Sequence, residues 1–159
     1  MAGQTGGGIY HQGGGELHVY ESTIARNHAA RTGGLYVHSA SNPLMFGDII
    51  ALNTANAGNR DLRVPSSAGI TWGANILLSD SSGIGSLISG AIYGDPLLTD
   101  LSFVDDRLVH QLMSGSPAIM SSSNSNAATT SSSPNGWDQL GRARPNGTRP
   151  GPVGSEGET

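Results

Sequence analysis

Four histidines, His11, His18, His28 and His38, lie close enough in sequence to suggest a metal centre. Such a centre needs two or three imidazoles converging on one point. At an offset of 26 residues, His11 falls level with Val37 and His38 with Gln12, so the four do not stack as pairs. They read as solvent-facing strand residues, and no metal ligand set is assigned. Asp105 and Asp106 are adjacent carboxylates, a pairing that can share acid–base work. Beside Arg107 in a polar connection, they read instead as a solvated turn. Tyr10 and Tyr36 do fall level at the 26-residue offset. With Ile9 and Leu35 facing inward, both rings face out as a two-step aromatic ladder. A sugar ring can pack on such a face while a polar neighbour such as His38 fixes its orientation. The competing expectation is that the rings only cover a wall or join the core. Asn27 and Asn53 are also level and are expected to form an amide ladder, a structural role and not a catalytic one.

These positions are meaningful only if something repeats every 26 residues, and the chain does. Gly7-Gly8-Ile9-Tyr10 returns as Gly33-Gly34-Leu35-Tyr36, and Ile24-Ala25 with Asn27 and Ala29 as Ile50-Ala51 with Asn53 and Ala55. A period in the twenties marks repeats that cannot bury an apolar face alone and so stack on their neighbours. The order within a repeat is a glycine turn, a short strand, a second turn, an alternating strand from Leu17 to Val19, and a third strand ending at Arg26-Asn27. Ile70, Trp72 and Ile76 start a third, more diverged repeat. Three inward columns are expected: Leu17, Leu44 and Ile70; Val19, Phe46 and Trp72; Ile24, Ile50 and Ile76. The first column demands one extra residue in the turn near Asn42-Pro43, removed again at the next corner. The fold class read from this pattern is all-β, a parallel solenoid of three to four coils, with like residues about 4.8 Å apart. An antiparallel sandwich would match adjacent strands through hairpins, and the columns here match across whole repeats.

Composition agrees with a turn-rich fold. Glycine is 24 of 159 residues, charged residues are 13% and aromatics 5%. The eight basic residues are all arginine, and the formal net charge of −4 leaves no electrostatic footprint for nucleic acid. Without cysteine there are no disulfides or thiolate metal sites. No apolar run approaches the roughly 20 residues of a membrane helix, and Met1 to Thr5 has no signal-peptide character. The repeat phrase follows Met1 almost at once. The expectation is a fragment of a longer protein or a first coil without an end cap, so the partners expected are further coils upstream or a second copy stacked end to end.

Residues 6–93 are assigned to the coils. Ile84, Leu87, Ile88, Ala91 and Ile92 could supply a fourth. Residues 94–120 are expected to form an irregular closing segment over the open end of the coils. Residues 121–136 read as a Ser/Asn-rich loop and 137–159 as a C-terminal segment and tail.

The phrase GGGIYHQGGGELHVYESTIARNHA resembles that of right-handed parallel β-helix proteins of the pectin-lyase-like superfamily. The end of the chain is similar to choice-of-anchor Q bacterial surface proteins. The residues that carry this are Asn75 to Asp80, Asp95-Pro96-Leu97-Leu98, Gly115-Ser116-Pro117-Ala118-Ile119 and Asp138-Gln139-Leu140-Gly141, in that order. Met120 departs from the acidic residue usual after Pro-Ala-Ile, and Gly154-Ser155-Glu156 lacks the usual aromatic. The resemblance implies an extracellular or cell-surface β-helix module.

The superfamily includes polysaccharide lyases, whose chemistry needs a base, a cation or arginine to hold the developing charge, and in many members calcium. Asp48, Asp61, Asp80, Arg60 and Arg63 are the candidates, but they do not occupy adjacent columns, and there is no lysine base. The expectation is therefore a non-catalytic scaffold or adhesin-like module with no cofactor and no catalytic residues, in contact with polysaccharide or cell-surface glycan. The alternative is a portion or remnant of a polysaccharide lyase or hydrolase, for which calcium would be implied.

Overall fold

The computed structural model describes residues 5–20, 22–38, 43–64, 71–72, 76–82, 84 and 91–118. Among these residues the chain is all-β, without helix. The strands of the first pass are β1 (Ile9–His11), β2 (His18–Tyr20), β3 (Thr23–Ala25) and β4 (His28–Ala29). The second pass gives β5 (Leu35–Val37), β6 (Leu44–Phe46), β7 (Ile49–Ala51) and β8 (Thr54–Ala55). Then come β9 (Leu62–Arg63), β10 (Thr71–Trp72), β11 (Leu77–Leu78) and β12 (Ile92–Tyr93), followed by β13 (Ser102–Val104) and β14 (Arg107–Val109).

Strands pair with their counterparts one repeat away, in parallel. The orders are β1-β5-β9, β2-β6-β10, β3-β7-β11-β12 and β4-β8. Only β13 and β14, among the described strands, pair antiparallel. Glycine sets the spacing at the first corner of the first two passes. A Cβ on Gly8 would meet Ile24 Cγ2 at 2.8 Å and Asn27 Nδ2 at 2.9 Å, and one on Gly34 would meet Ile50 Cγ2 at 3.0 Å and Asn53 Nδ2 at 2.9 Å. Only a residue without a Cβ lets the backbone come this close.

The register corrects two expected columns and part of the third. Val19 pairs with Met45, and Met45 with Trp72; Leu44 pairs with His18 and Thr71. Leu17 lies one residue before β2, and its carbonyl accepts from the Leu44 amide at 2.8 Å. Met45, fully buried, is thus the inward residue of β6, while Leu44 is only partly buried. The offset from β2 to β6 stays at 26, so no residue is gained near Asn42-Pro43. The physical reason is that β1/β5 and β3/β7 are locked at 26 on either side of this strand, and a shift of one would turn its side chains to the other face. The third column continues from Ile24 and Ile50 to Leu78, not Ile76. Ile76 is nevertheless buried in the same core, beside Leu35, Val37, Leu62 and Val64. The side chain expected at Ile70 lies outside the described residues.

A second cluster lies on the other face of the β3-β7-β11-β12 sheet. Ile49, Ala51 and Leu77 pack there against Leu98 and Ala118, with Leu112 and Ile92 beside them. The closing segment therefore packs along the outer face of this sheet; the expected cover over the end of the coils is corrected on this point. Two of its phrases meet. Ser116 Oγ donates to the Pro96 carbonyl at 2.5 Å and accepts from the Ala118 amide at 3.1 Å. Of the fourth-coil residues, Ile92 is on β12, paired with Leu77, and Ile84 and Ala91 pack against the main core. Leu87, Ile88, Asn75, Asp138 to Gly141, and the proposed loop and tail from 121 onward lie outside the described residues.

Candidate functional site

Tyr10 and Tyr36 sit in register on β1 and β5, and Arg63 on β9 completes the row. Leu35 and Val37 point into the core, so Tyr36 between them takes the opposite face. Its ring centroid lies 5.5 Å from that of Tyr10, tilted by 42°, and the Arg63 guanidinium carbon lies 5.6 Å from it on the other side. An arginine over a tyrosine ring contributes about 0.5–1 kcal/mol at an exposed position. His38 stacks on Tyr36 at 6.2 Å and meets Tyr10 edge-on at 6.3 Å.

This packing changes what the row can present. Tyr36 is only 7% exposed, because Tyr10, Arg63 and His38 enclose it, whereas Tyr10 is 41% exposed. The expectation that both rings face solvent is corrected for Tyr36. Tyr10, His38 and Arg63 form the accessible surface, with Tyr36 as the platform beneath. Arg63 was not among the sequence-derived contact residues. Its signal was the phrase Leu62-Arg63-Val64, which repeats Leu35-Tyr36-Val37 one residue beyond the 26-residue offset. Tyr10 Oη donates to Gln12 Oε1 at 3.2 Å, which fixes the ring edge.

The other histidines disperse. His28 Nδ1 lies 2.8 Å from Thr54 Oγ1, His18 faces Glu16 at 3.4 Å, and His11 Nε2 is 3.2 Å from the Gly15 carbonyl. Among the described residues, no three histidine or carboxylate side chains are grouped to hold a metal ion. Asp105 and Asp106 both adopt left-handed backbone angles, φ 49° and 60°, and form the two-residue turn joining β13 to β14.

The asparagine ladder is longer than the sequence suggested. Asn53 Oδ1 accepts from the Asn27 amide at 2.9 Å and from Asn27 Nδ2 at 3.1 Å. Asn53 in turn donates its amide and Nδ2 to Asp61 Oδ1 at 3.1 and 3.0 Å. The second oxygen of Asp61 accepts from Ser79 Oγ and from the Asp80 amide, both at 2.7 Å. Each asparagine follows a residue in the left-handed region, Arg26 at φ 58° and Leu52 at φ 59°. Asp61 precedes Leu62 as Gly34 precedes Leu35, so it takes the glycine position of the third pass. There the corner carries Ser79 and Asp80 instead of asparagine, and the carboxylate fills the space an amide would occupy. Asp61 is wholly buried, and its four donors satisfy it. Asp48, also buried, accepts from the Ser22 amide at 2.9 Å.

Asp80 is the most accessible of the three carboxylates. Burial, the largest single influence, works against its ionisation. The Ser82 hydroxyl and amide, the Arg60 amide and the Arg60 charge together outweigh burial and hold its pKa below the ordinary 3.8. The structure thus brings Asp61, Ser79 and Asp80 together as a corner, while Arg63 stands apart in the aromatic row.

Comparison of the chain with models of known protein families, with curated proteins and with solved structures found no match in any of the three.

Proposed function

We propose that the chain is a non-catalytic extracellular module, part of a right-handed parallel β-helix, which serves as a surface scaffold and contacts glycan through Tyr10, His38 and Arg63. The stacked-coil reading is supported by the parallel pairing of strands one repeat apart, with Ile9, Leu35 and Leu62 in one row and Ile24, Ile50 and Leu78 in another. It also draws on the resemblance to choice-of-anchor Q surface proteins. The observation that carries the non-catalytic reading is the use made of the carboxylates. Asp61 is consumed by four hydrogen bonds inside the wall, leaving it no free lone pair aimed at solvent to act as a base.

The glycan contact rests on an exposed tyrosine ring held by a second ring, with an arginine two strands away. Neighbouring strands lie about 4.8 Å apart, so Tyr10 and Arg63 are separated by roughly 10 Å, about the span of two sugar rings. A pyranose face packs on Tyr10 while a hydroxyl or carboxylate of the next residue reaches Arg63.

A glycan array tests this, read with the natural chain and with Tyr10→Ala. The expected result is binding to a subset of glycans that falls at least about tenfold in the variant, the usual scale for losing an aromatic anchor. A blank array removes the glycan contact and leaves the scaffold. Incubation with pectate, alginate and glycosaminoglycans is expected to give no unsaturated product. Calcium-dependent product would establish the lyase alternative instead.

A further inference from the structure

We propose that the face formed by β1, β2, β3 and β4 is a docking surface for one more repeat of the same kind, whose corner carries an asparagine in register with Asn27. This rests on the stacked-coil reading above. All four strands are terminal in their ladders, at the same side of the molecule. Their backbone groups on that side form no strand pairing among the described residues, which is the template for adding a strand. Ile9 and Leu17 pack on the core from one side only and remain partly exposed.

The side-chain acceptors of the corners lie on one side, and that bears on the occupant. Where a side-chain oxygen accepts across two passes in these corners, it belongs to the later pass. The Ser22 amide gives to Asp48, the Asn27 amide and Nδ2 to Asn53, the Leu52 amide to Ser79 Oγ, and the Asn53 amide and Nδ2 to Asp61. The reverse direction runs to backbone carbonyls, as from Asn53 Nδ2 to the Ile24 carbonyl and from the Thr54 amide to the Asn27 carbonyl, both at 2.9 Å. At the face of the first pass the same geometry leaves Asn27 Oδ1 as an acceptor, and among the described residues no donor reaches it. Two donors, a backbone amide and a side-chain NH2, would complete the step. An asparagine corner supplies both.

A second copy stacked head to tail does not. The strand it would offer is β12, and the corner after it runs Asp95-Pro96-Leu97. Pro96 has no N–H, and the Leu97 amide already donates to Asp95 Oδ1 at 2.8 Å. The missing donors at the Pro96 corner therefore favour another repeat over head-to-tail self-assembly.

The test lengthens the full chain by an in-frame duplicate of residues 7–32 placed ahead of Gly7, so that its asparagine falls 26 residues before Asn27. The expected result is a rise of about 5 °C or more in the thermal midpoint over the natural chain, most of it lost when the added asparagine is replaced by alanine. An unchanged or lowered midpoint, or failure of the lengthened chain to fold where the natural chain folds, overturns the proposal. So does concentration-dependent self-association of the natural chain in sedimentation, which would make a second copy the occupant. Asn53→Ala in the natural chain separates this from the reading beneath it. A lowered midpoint there keeps the stacked ladder even where the added repeat gains nothing; an unchanged midpoint removes the ladder itself.

Discussion

Asp61 shows how one side chain can replace two. In the first two passes a glycine admits the backbone and an asparagine fills the corner. In the third, the carboxylate enters from the glycine position and takes donors from both the Asn53 corner and the Ser79–Asp80 corner. All four partners donate here, and three of them are N–H groups that cannot accept, so an amide cannot satisfy the set. In Asp61→Asn, the new NH2 would face Ser79 Oγ and the Asp80 amide or the two donors of Asn53. A buried donor left facing donors costs about 1–3 kcal/mol for each unmade bond. Chemical denaturation is expected to show Asp61→Asn destabilised by about 3 kcal/mol, and Asp61→Ala by no less. A loss under about 1 kcal/mol would mean the carboxylate does not join the corners. The asparagines were legible in the sequence as a repeated letter at a fixed offset. Asp61 was not, because its role repeats a place in space and not a residue type.

β6 carries the clearest lesson at the level of an element. Leu44, Met45 and Phe46 are all apolar, so alternation within the strand cannot say which faces the core. Reading Leu44 and Phe46 inward forced an extra residue into the preceding turn. The neighbouring strands give a stronger constraint: β5 and β7 both hold a 26-residue offset, and applying it to β6 places Met45 over Val19. Met45→Ala is expected to cost about 2–4 kcal/mol through lost burial and the cavity left behind, against about 1 kcal/mol or less for Leu44→Ala. Equal losses, measured by denaturant titration, would restore the alternation reading. The row Ile9/Leu35 was readable because an aromatic residue follows each aliphatic one, and the row Ile24/Ile50 because Ile-Ala recurs at the 26-residue offset. Tyr36 shows the limit of that signal. Its outward face was readable from Leu35 and Val37, but its enclosure by Arg63 depends on a third pass shifted by one residue.

For the whole molecule, apolar burial on both faces of one sheet builds the core and its outer coat. Aliphatic rows fill the interior between the parallel sheets, and the segment around Leu98, Leu112 and Ala118 lies on the outer face over Ile49, Ala51 and Leu77. Sequence gave the existence of that segment through its Pro- and Gly-marked phrases. Where it packs depends on Ile49 and Leu77, apolar residues that repeat-based reading had no reason to place outside. The aromatic row and the asparagine corners both depend on each earlier pass lying in register on the next, with His28 next to Thr54. The cysteine-free chain allows a direct measurement. The double variant His28→Cys/Thr54→Cys joins exposed, paired positions, and neighbouring strands put their Cα atoms within the 4.4–6.8 Å that a disulfide spans. Moving the partner two residues along, in His28→Cys/Asn56→Cys, puts it roughly 8 Å away and out of range. Mild oxidation followed by mass spectrometry of the monomer is predicted to show an intramolecular 28–54 bridge and none between 28 and 56. A 28–54 pair that stays reduced, or a 28–56 pair that closes as readily, would contradict the stacked register.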